Sequence, residues 1–349
     1  MNIKQKVSYF WKEFLAIRAN IEEALDNDNQ EALKDIINDL NFELETITAC
    51  PIFVEKGEVG LYELCFDPGY NKSSQYICAL ICKFMPIALK SSWLVCPYLA
   101  PLTQRAKNTV IKLSNAEYHG SDFIVYYTVD ESNKCLHIQV YSEALQKMND
   151  NEKDEIVNRL LLLYVGQLEL EARIASVEII DVKSDNENAI TLDNLFEEIC
   201  DLIIDKDWVE YDDPTYIYFA YKLDQDVISE NIHEDIYLQT TSYPHFFEER
   251  NEKLHDIYDN FEKLGGEFGY IYYEHTQSKE DIAIFRRNLE KQFNSVAYDL
   301  GIARSFGGAL GSKYCYIDIA VFDKYELLGL INKMNELLEF KLSYISYKL

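Results

Sequence analysis

The sequence is short of the residues that interrupt a chain, and short of positive charge. Seven prolines and 13 glycines among 349 residues leave long stretches open to regular helix and strand, which excludes a collagen-like or low-complexity chain. Lysine and arginine total 33 against 60 aspartates and glutamates, a net charge of −27. Such a field repels phosphate backbones and anionic lipid surfaces, so neither nucleic acid nor membrane is an expected partner. No run approaches the roughly 18 consecutive apolar residues of a membrane span. The opening MNIKQKVSYFWKEF reads as an amphipathic helix rather than a signal segment, so a cytoplasmic protein is expected. CxxC, HExxH and GxSxG are all missing, which removes the zinc knuckle, the metalloprotease helix and the nucleophile elbow.

What is present is apolar and aromatic. Hydrophobic residues make up 48% of the chain and charged residues 27%, enough to bury substantial cores, and the length suits two domains. Eight cysteines read as reduced thiols, because Cys65, Cys78, Cys82, Cys96, Cys135 and Cys315 lie inside apolar runs, where a thiol is a small hydrophobe. Cys78 and Cys82 have the spacing of one helix face, and Cys135 and His137 that of one strand face. Neither is a knuckle pair, and no metal or cofactor is expected.

Periodicity gives an α+β chain of two sheet-plus-helix modules. Helical spacing over Phe10–Leu25 and Leu33–Leu40 predicts an opening helical hairpin. Val59–Phe66 reads as a strand, Ser73–Met85 as a helix ended by Pro86, and Trp93–Cys96 as a strand. Phe123–Val129 and Cys135–Tyr141 read as a β-hairpin, followed by a helix over about Glu152–Glu169 and a strand over Ala175–Ile180. The N-terminal module is expected to close at residue 182, with Ser184–Asn188 as linker and the C-terminal module running from 191 to 349. From Asp181 to Asp213 the chain carries twelve acidic residues and only Lys183 and Lys206, the solvated face of a helix that starts near Leu192. Tyr216–Leu223 and Ile236–Thr240 read as strands and Pro244–Leu264 as a helix. Strand Phe268–Tyr273, helix Lys279–Leu300, strands Ile302–Phe306 and Lys313–Phe322, helix Lys324–Leu338 and strand Leu342–Tyr347 make a βαββαβ, ferredoxin-like order. The N-terminal module has a related order with the helical hairpin added.

Two constellations merit chemical attention. Arg304–Lys313 is glycine-rich and resembles a phosphate cradle, but a strand rather than a helix follows it, so a hairpin turn with glycines at positive φ is expected instead. His245, with Tyr243 and Arg304, forms the candidate ligand-pocket set. The bland reading of His245, a hydrogen-bonded residue at a helix start, is preferred because no nucleophile motif accompanies it.

Tyrosine is abundant, with 26 copies. Alternation places Tyr270, Tyr272, Tyr314, Tyr316 and Asp318 on one face of the C-terminal sheet, opposite Cys315, Ile317, Ile319 and Val321, which turn to the two helices. That tyrosine face, free of those helices, is read first as an interdomain contact and second as a partner-binding platform; base stacking is disfavoured by the charge.

The stretches FWKEFLAIRANIEEAL, PIALKSSWLVCPYLAP and GIARSFGGALGSKYCYIDIAVFD resemble bacterial proteins classed only as domains of unknown function, some of which occur near toxin and immunity loci. The resemblance carries no catalytic residue. The functional expectation is a non-enzymatic protein-binding module whose acidic surface engages a basic partner, in its sharpest form an immunity protein against a cationic toxin. The alternative is an enzyme or small-ligand binder with a pocket between the modules.

Overall fold

Asn2 opens the first helix with a capping box: its side chain accepts from the Gln5 amide, and the Gln5 side chain accepts from the Asn2 amide, so two of the helix's orphan donors are satisfied at once. The computed structural model describes residues 1–57, 61–103, 106–108, 110–113, 116–223, 231–275 and 279–348. Helices α1 (Ile3–Asp26) and α2 (Gln30–Glu45) form the expected hairpin and lead into strands β1 (Ile52–Lys56) and β2 (Tyr62–Phe66), helix α3 (Lys72–Lys83) and strand β3 (Trp93–Cys96). β2 and β3 run parallel around α3, as the βαβ reading requires, while β1 is an additional antiparallel partner of β2. Val59 and Gly60 of the predicted strand lie outside the described residues. α1 seals this small sheet: the Trp11 indole N–H donates to the Ile81 carbonyl at 2.9 Å, and Phe14 packs edge-on against Trp93.

The chain then builds a separate unit. Strands β4 (Ile111–Leu113) and β5 (Ala116–Tyr118) form a short ladder. β6 (Ile124–Asp130) and β7 (Cys135–Tyr141) form the predicted hairpin, with Asp130 Oδ1 accepting from the Ser132 and Asn133 amides of the turn. Helices α4 (Asp150–Val165) and α5 (Gln167–Arg173) replace the single predicted helix. The break is Gly166, at φ +78, where a Cβ would also meet Pro101 at 2.6 Å. β8 (Ile174–Ile179) runs parallel to β7, β9 (Ala189–Thr191) pairs with β6, and α6 (Leu195–Asp205) follows.

The last segment contains β10 (Phe219–Lys222), β11 (Ile236–Thr241), α7 (Pro244–Asn251), α8 (Asp256–Lys263), β12 (Glu267–Glu274), α9 (Lys279–Asp299), β13 (Ala303–Gly311), β14 (Tyr314–Val321), α10 (Lys324–Leu337) and β15 (Ser343–Ser346). The βαββαβ element order is present, and its four strands stand in the order β13-β14-β12-β15, all antiparallel, with β11 and β10 added beyond β13. The α+β class holds throughout.

The division of the chain differs from the expected break at 182–191. One unit comprises Met1–Pro97 with Tyr218–Leu349, the other Tyr98–Ile217. The reason is hydrogen bonding on one side and burial on the other. The polar stretch 184–188 is tied to β6, since Asn186 Nδ2 donates to the Tyr127 carbonyl and the Tyr127 amide to that of Asn188, and the chain rejoins the same sheet as β9. The N-terminal helices instead share a core with the C-terminal sheet and are pinned there by Asn2 to Asp323, Tyr76 to Ser242 and Lys83 to Asp299.

A second correction concerns the glycines. Gly307, Gly308 and Gly311 lie inside β13, not in a turn, and none has positive φ. They are needed for close approach. A Cβ would stand 2.5 Å from the Thr240 carbonyl at Gly307, 2.4 Å from the Tyr316 carbonyl at Gly308 and 2.2 Å from the Asp235 carboxylate at Gly311.

Candidate functional site

The register of β12 and β14 pairs Tyr270 with Asp318, Tyr272 with Tyr316 and Glu274 with Tyr314. Because strand side chains alternate, this puts the four tyrosines and Asp318 on one face while Ile271, Tyr273, Cys315, Ile317, Ile319 and Val321 pack against α9 and α10. The predicted alternation is therefore present. The face itself is covered within its own unit: Phe246 of α7 and Phe261 of α8 pack on Phe268, and Tyr270 and Tyr316 are buried in the same core as α1 and α3. Tyr316 and Asp318 are fully buried, so this set is not an exposed platform.

Under that cover lies a line of polar side chains. The Tyr316 hydroxyl donates to Asp235 Oδ1 at 2.5 Å and accepts from the His233 amide at 2.8 Å. The His233 ring, 4.6 Å from that of Tyr270, meets the Tyr347 hydroxyl through Nε2 at 3.0 Å, and that hydroxyl donates to Asp318 Oδ1 at 2.6 Å. Arg250 donates to the Tyr347 carbonyl at 2.9 Å, with its guanidinium 4.3 Å from the ring. Burial pushes the Asp318 carboxyl up to about 7, against the pull of the Tyr347 hydroxyl and the Arg286 charge. Burial, aided by Arg250, holds His233 down to about 4. Among the described residues Asp318 Oδ2 has no hydrogen-bond partner. A proton on Asp318 can turn the line around, with the acid donating to Tyr347 and Tyr347 to His233. His233, Asp235 and Tyr347 are the residues that sequence reading missed. The one local signal was an aspartate immediately before the apolar alternation of β11.

The ligand-pocket set does not converge. Tyr243 and Arg304 flank the buried Tyr76, with centroid distances of 6.3 and 5.7 Å, whereas the His245 side chain is 73% exposed and its Nδ1 stands 3.3 Å from Glu248. Burial pushes the Tyr243 hydroxyl up to about 12.

The acidic stretch has a different character. Leu195, Ile199 and Ile203 anchor α6 in its unit, as the spacing predicted. Asp201, Asp205, Asp207, Glu210 and Asp212 are exposed, and among the described residues no cation lies within ion-pair distance of them. Between them Ile204 and Val209 are 73% and 56% exposed. Lys206, the one lysine between Asp201 and Asp212, pairs with Glu131 at 2.5 Å.

The chain matches no protein-family model, no curated protein and no solved structure. No helix among the described residues is long and apolar enough to cross a membrane.

Proposed function

We propose that the protein is a non-enzymatic, cytoplasmic protein-binding module that engages a basic protein through the end of α6 and the loop after it. The observation that carries this reading is the run of exposed Asp201, Asp205, Asp207, Glu210 and Asp212, interleaved along the chain with the exposed Ile204 and Val209. Like charges crowded without cations raise the energy of the free surface, and a cationic partner relieves it while being steered in by a chain of net charge −27. Two apolar side chains within that acidic run supply the desolvated anchor that charge alone does not. The tyrosine face is withdrawn as the docking surface because it is core. In its sharpest form the module is an immunity-type inhibitor of a cationic toxin, a reading supported by the resemblance of the three quoted stretches. A pull-down from the native host at low and high salt tests it: a basic protein captured at low salt, released at high salt and lost when Asp201, Asp205, Asp207 and Glu210 are amidated supports the reading. Capture indifferent to both changes refutes it.

A second reading, a small-ligand binder or enzyme, draws on the Asp318–Tyr347–His233 line alone, a buried acid–base pair joined by a hydroxyl. A metabolite panel scored by thermal shift tests it, because a ligand that binds only the folded state raises Tm.

A further inference from the structure

The β6–β7 hairpin brings together three side chains that the linear sequence keeps apart. Asp130 and Cys135 are direct partners across the ladder, so their side chains leave the sheet on the same face, and His137, two residues along β7, shares that face. One ligand atom from each residue lies within 4.8 Å of the others, and His137 Nε2 stands 4.0 Å from Asp130 Oδ2. Zinc bond lengths of about 2.0 to 2.3 Å place tetrahedral ligand atoms roughly 3.3 to 3.8 Å apart. An ion therefore has to draw these side chains in by only about an ångström.

Each outer ligand is already oriented by a neighbour. His137 Nδ1 is hydrogen bonded to Ser176 Oγ at 2.8 Å on the adjacent strand β8, which fixes the ring plane and leaves Nε2 toward the other two groups. The Asp130 carboxylate is held by the Asn133 side-chain amide at 2.8 Å and by the two turn amides, with lone pairs remaining on Oδ2. The tight turn, with Lys134 at φ +58, fixes the register that puts aspartate opposite cysteine. The side chains of Asp130 and His137 are 27% and 51% exposed, so an ion can reach the site from water, while Cys135 forms its buried floor. Arg173, a cation flanking the hairpin, has its guanidinium occupied: it donates to the Lys134 and Val209 carbonyls, stands 3.4 Å from the Glu169 carboxylate and lies against Trp208 and Tyr211.

We propose that Asp130, Cys135 and His137 form a binding site for one Zn2+ ion, with water in the fourth tetrahedral position and Ser176 and Asn133 as positioning residues. The donor set decides the cation. A thiolate and an imidazole select zinc over magnesium or calcium, and the single carboxylate completes a three-ligand site with an open position. The ion ties the hairpin turn to the β7–β8 edge of its sheet. This inference is independent of the acidic α6 surface.

Titrating the reduced full-length protein with Co2+ tests it. The expected result is a saturating thiolate-to-cobalt charge-transfer band at one equivalent, bleached by Zn2+, absent from Cys135→Ser and shifted to at least ~10-fold weaker binding in His137→Ala and Ser176→Ala. His137 and Ser176 are on the solvent side of the sheet, so these two variants keep the fold if Cys135→Ser does not. No charge-transfer band in the native protein, or a band unchanged in His137→Ala, overturns the proposal. Cobalt held without the band is carboxylate binding elsewhere on an acidic chain and overturns it equally.

Discussion

Asp235 Oδ1 accepts a 2.5 Å hydrogen bond from the hydroxyl of Tyr316, 81 positions later in the chain, and both side chains are fully buried. The other oxygen of the same carboxylate accepts from the amides of Lys313 and Tyr314 at 2.9 Å each. One aspartate at the start of β11 thus caps the β13–β14 turn and fixes a tyrosine in the middle of β14. The space it occupies exists because residue 311 is glycine. A buried carboxylate is tolerable only with this full set of donors.

Tyr316→Phe removes one donor from that carboxylate and should cost roughly 1 to 3 kcal/mol. Tyr316→Ala also deletes a fully buried ring and should cost roughly 3 kcal/mol or more. Urea unfolding of both variants measures the difference. A Tyr316→Ala protein as stable as the native one would mean that the tyrosine face is not core.

Gly308→Ala should destabilise the fold by at least about 2 kcal/mol, because the new methyl meets the Tyr316 carbonyl, which is part of the ladder and cannot swing aside. Gly329→Ala, on α10 with open space around it, should be neutral or slightly stabilising. The contrast between the two melting curves is the readout.

Asp318 and His233 should give opposite pH dependences. The Asp318 carboxyl sits at about 7 in the folded protein, above the ordinary carboxylate range, so its contribution is fully present below about pH 4 and is lost as pH rises toward 7. His233 sits at about 4, below the ordinary histidine value, so its contribution is fully present above about pH 6.5 and is lost as pH falls toward 4. Relative to the native protein, Asp318→Asn should gain stability as pH rises through this window, by up to roughly 4 kcal/mol. His233→Asn, which tolerates the left-handed backbone at φ +69, should gain as pH falls. Parallel stability profiles for the three proteins between pH 4 and 7 would contradict both assignments.

All eight cysteines should titrate as free thiols when the protein is denatured without reductant, including Cys50 and Cys78, whose sulfur atoms are 3.4 Å apart in the core. A thiol count below eight under these conditions would show a bond that the fold does not contain.

The local elements were legible wherever one period dominated. The alternation of Tyr270, Tyr272, Tyr314 and Tyr316 against Ile271, Cys315 and Ile317 fixed two faces correctly, because a one-residue slip would have buried the wrong set. The cover on the tyrosine face was not legible, since Phe246 and Phe261 arrive there by tertiary packing that no spacing encodes. Ser184–Asn188 looked like a linker because its polar side chains lack a period. The stretch instead anchors to β6 through the Asn186 side chain and the Asn188 carbonyl, both bonded to the Tyr127 backbone, and such pairing carries no sequence signature. The glycines of β13 were misassigned to positive φ for a related reason: what forbids a side chain there is the backbone of other strands. The Asp130–Cys135–His137 grouping depends on the hairpin register, and the two-residue spacing of Cys135 and His137 showed only half of it.

The most direct test of the acidic α6 surface is the dissociation constant of the captured basic partner, measured at 50 and 300 mM salt for the native protein, for the variant amidated at Asp201, Asp205, Asp207 and Glu210, and for Ile204→Ser with Val209→Ser. The predicted result is binding that weakens with salt in the native protein, a salt response largely lost in the amidated variant, and a loss of at least about tenfold with unchanged salt response when the two apolar residues are replaced. Equal dissociation constants for all three proteins at both salt concentrations would contradict it.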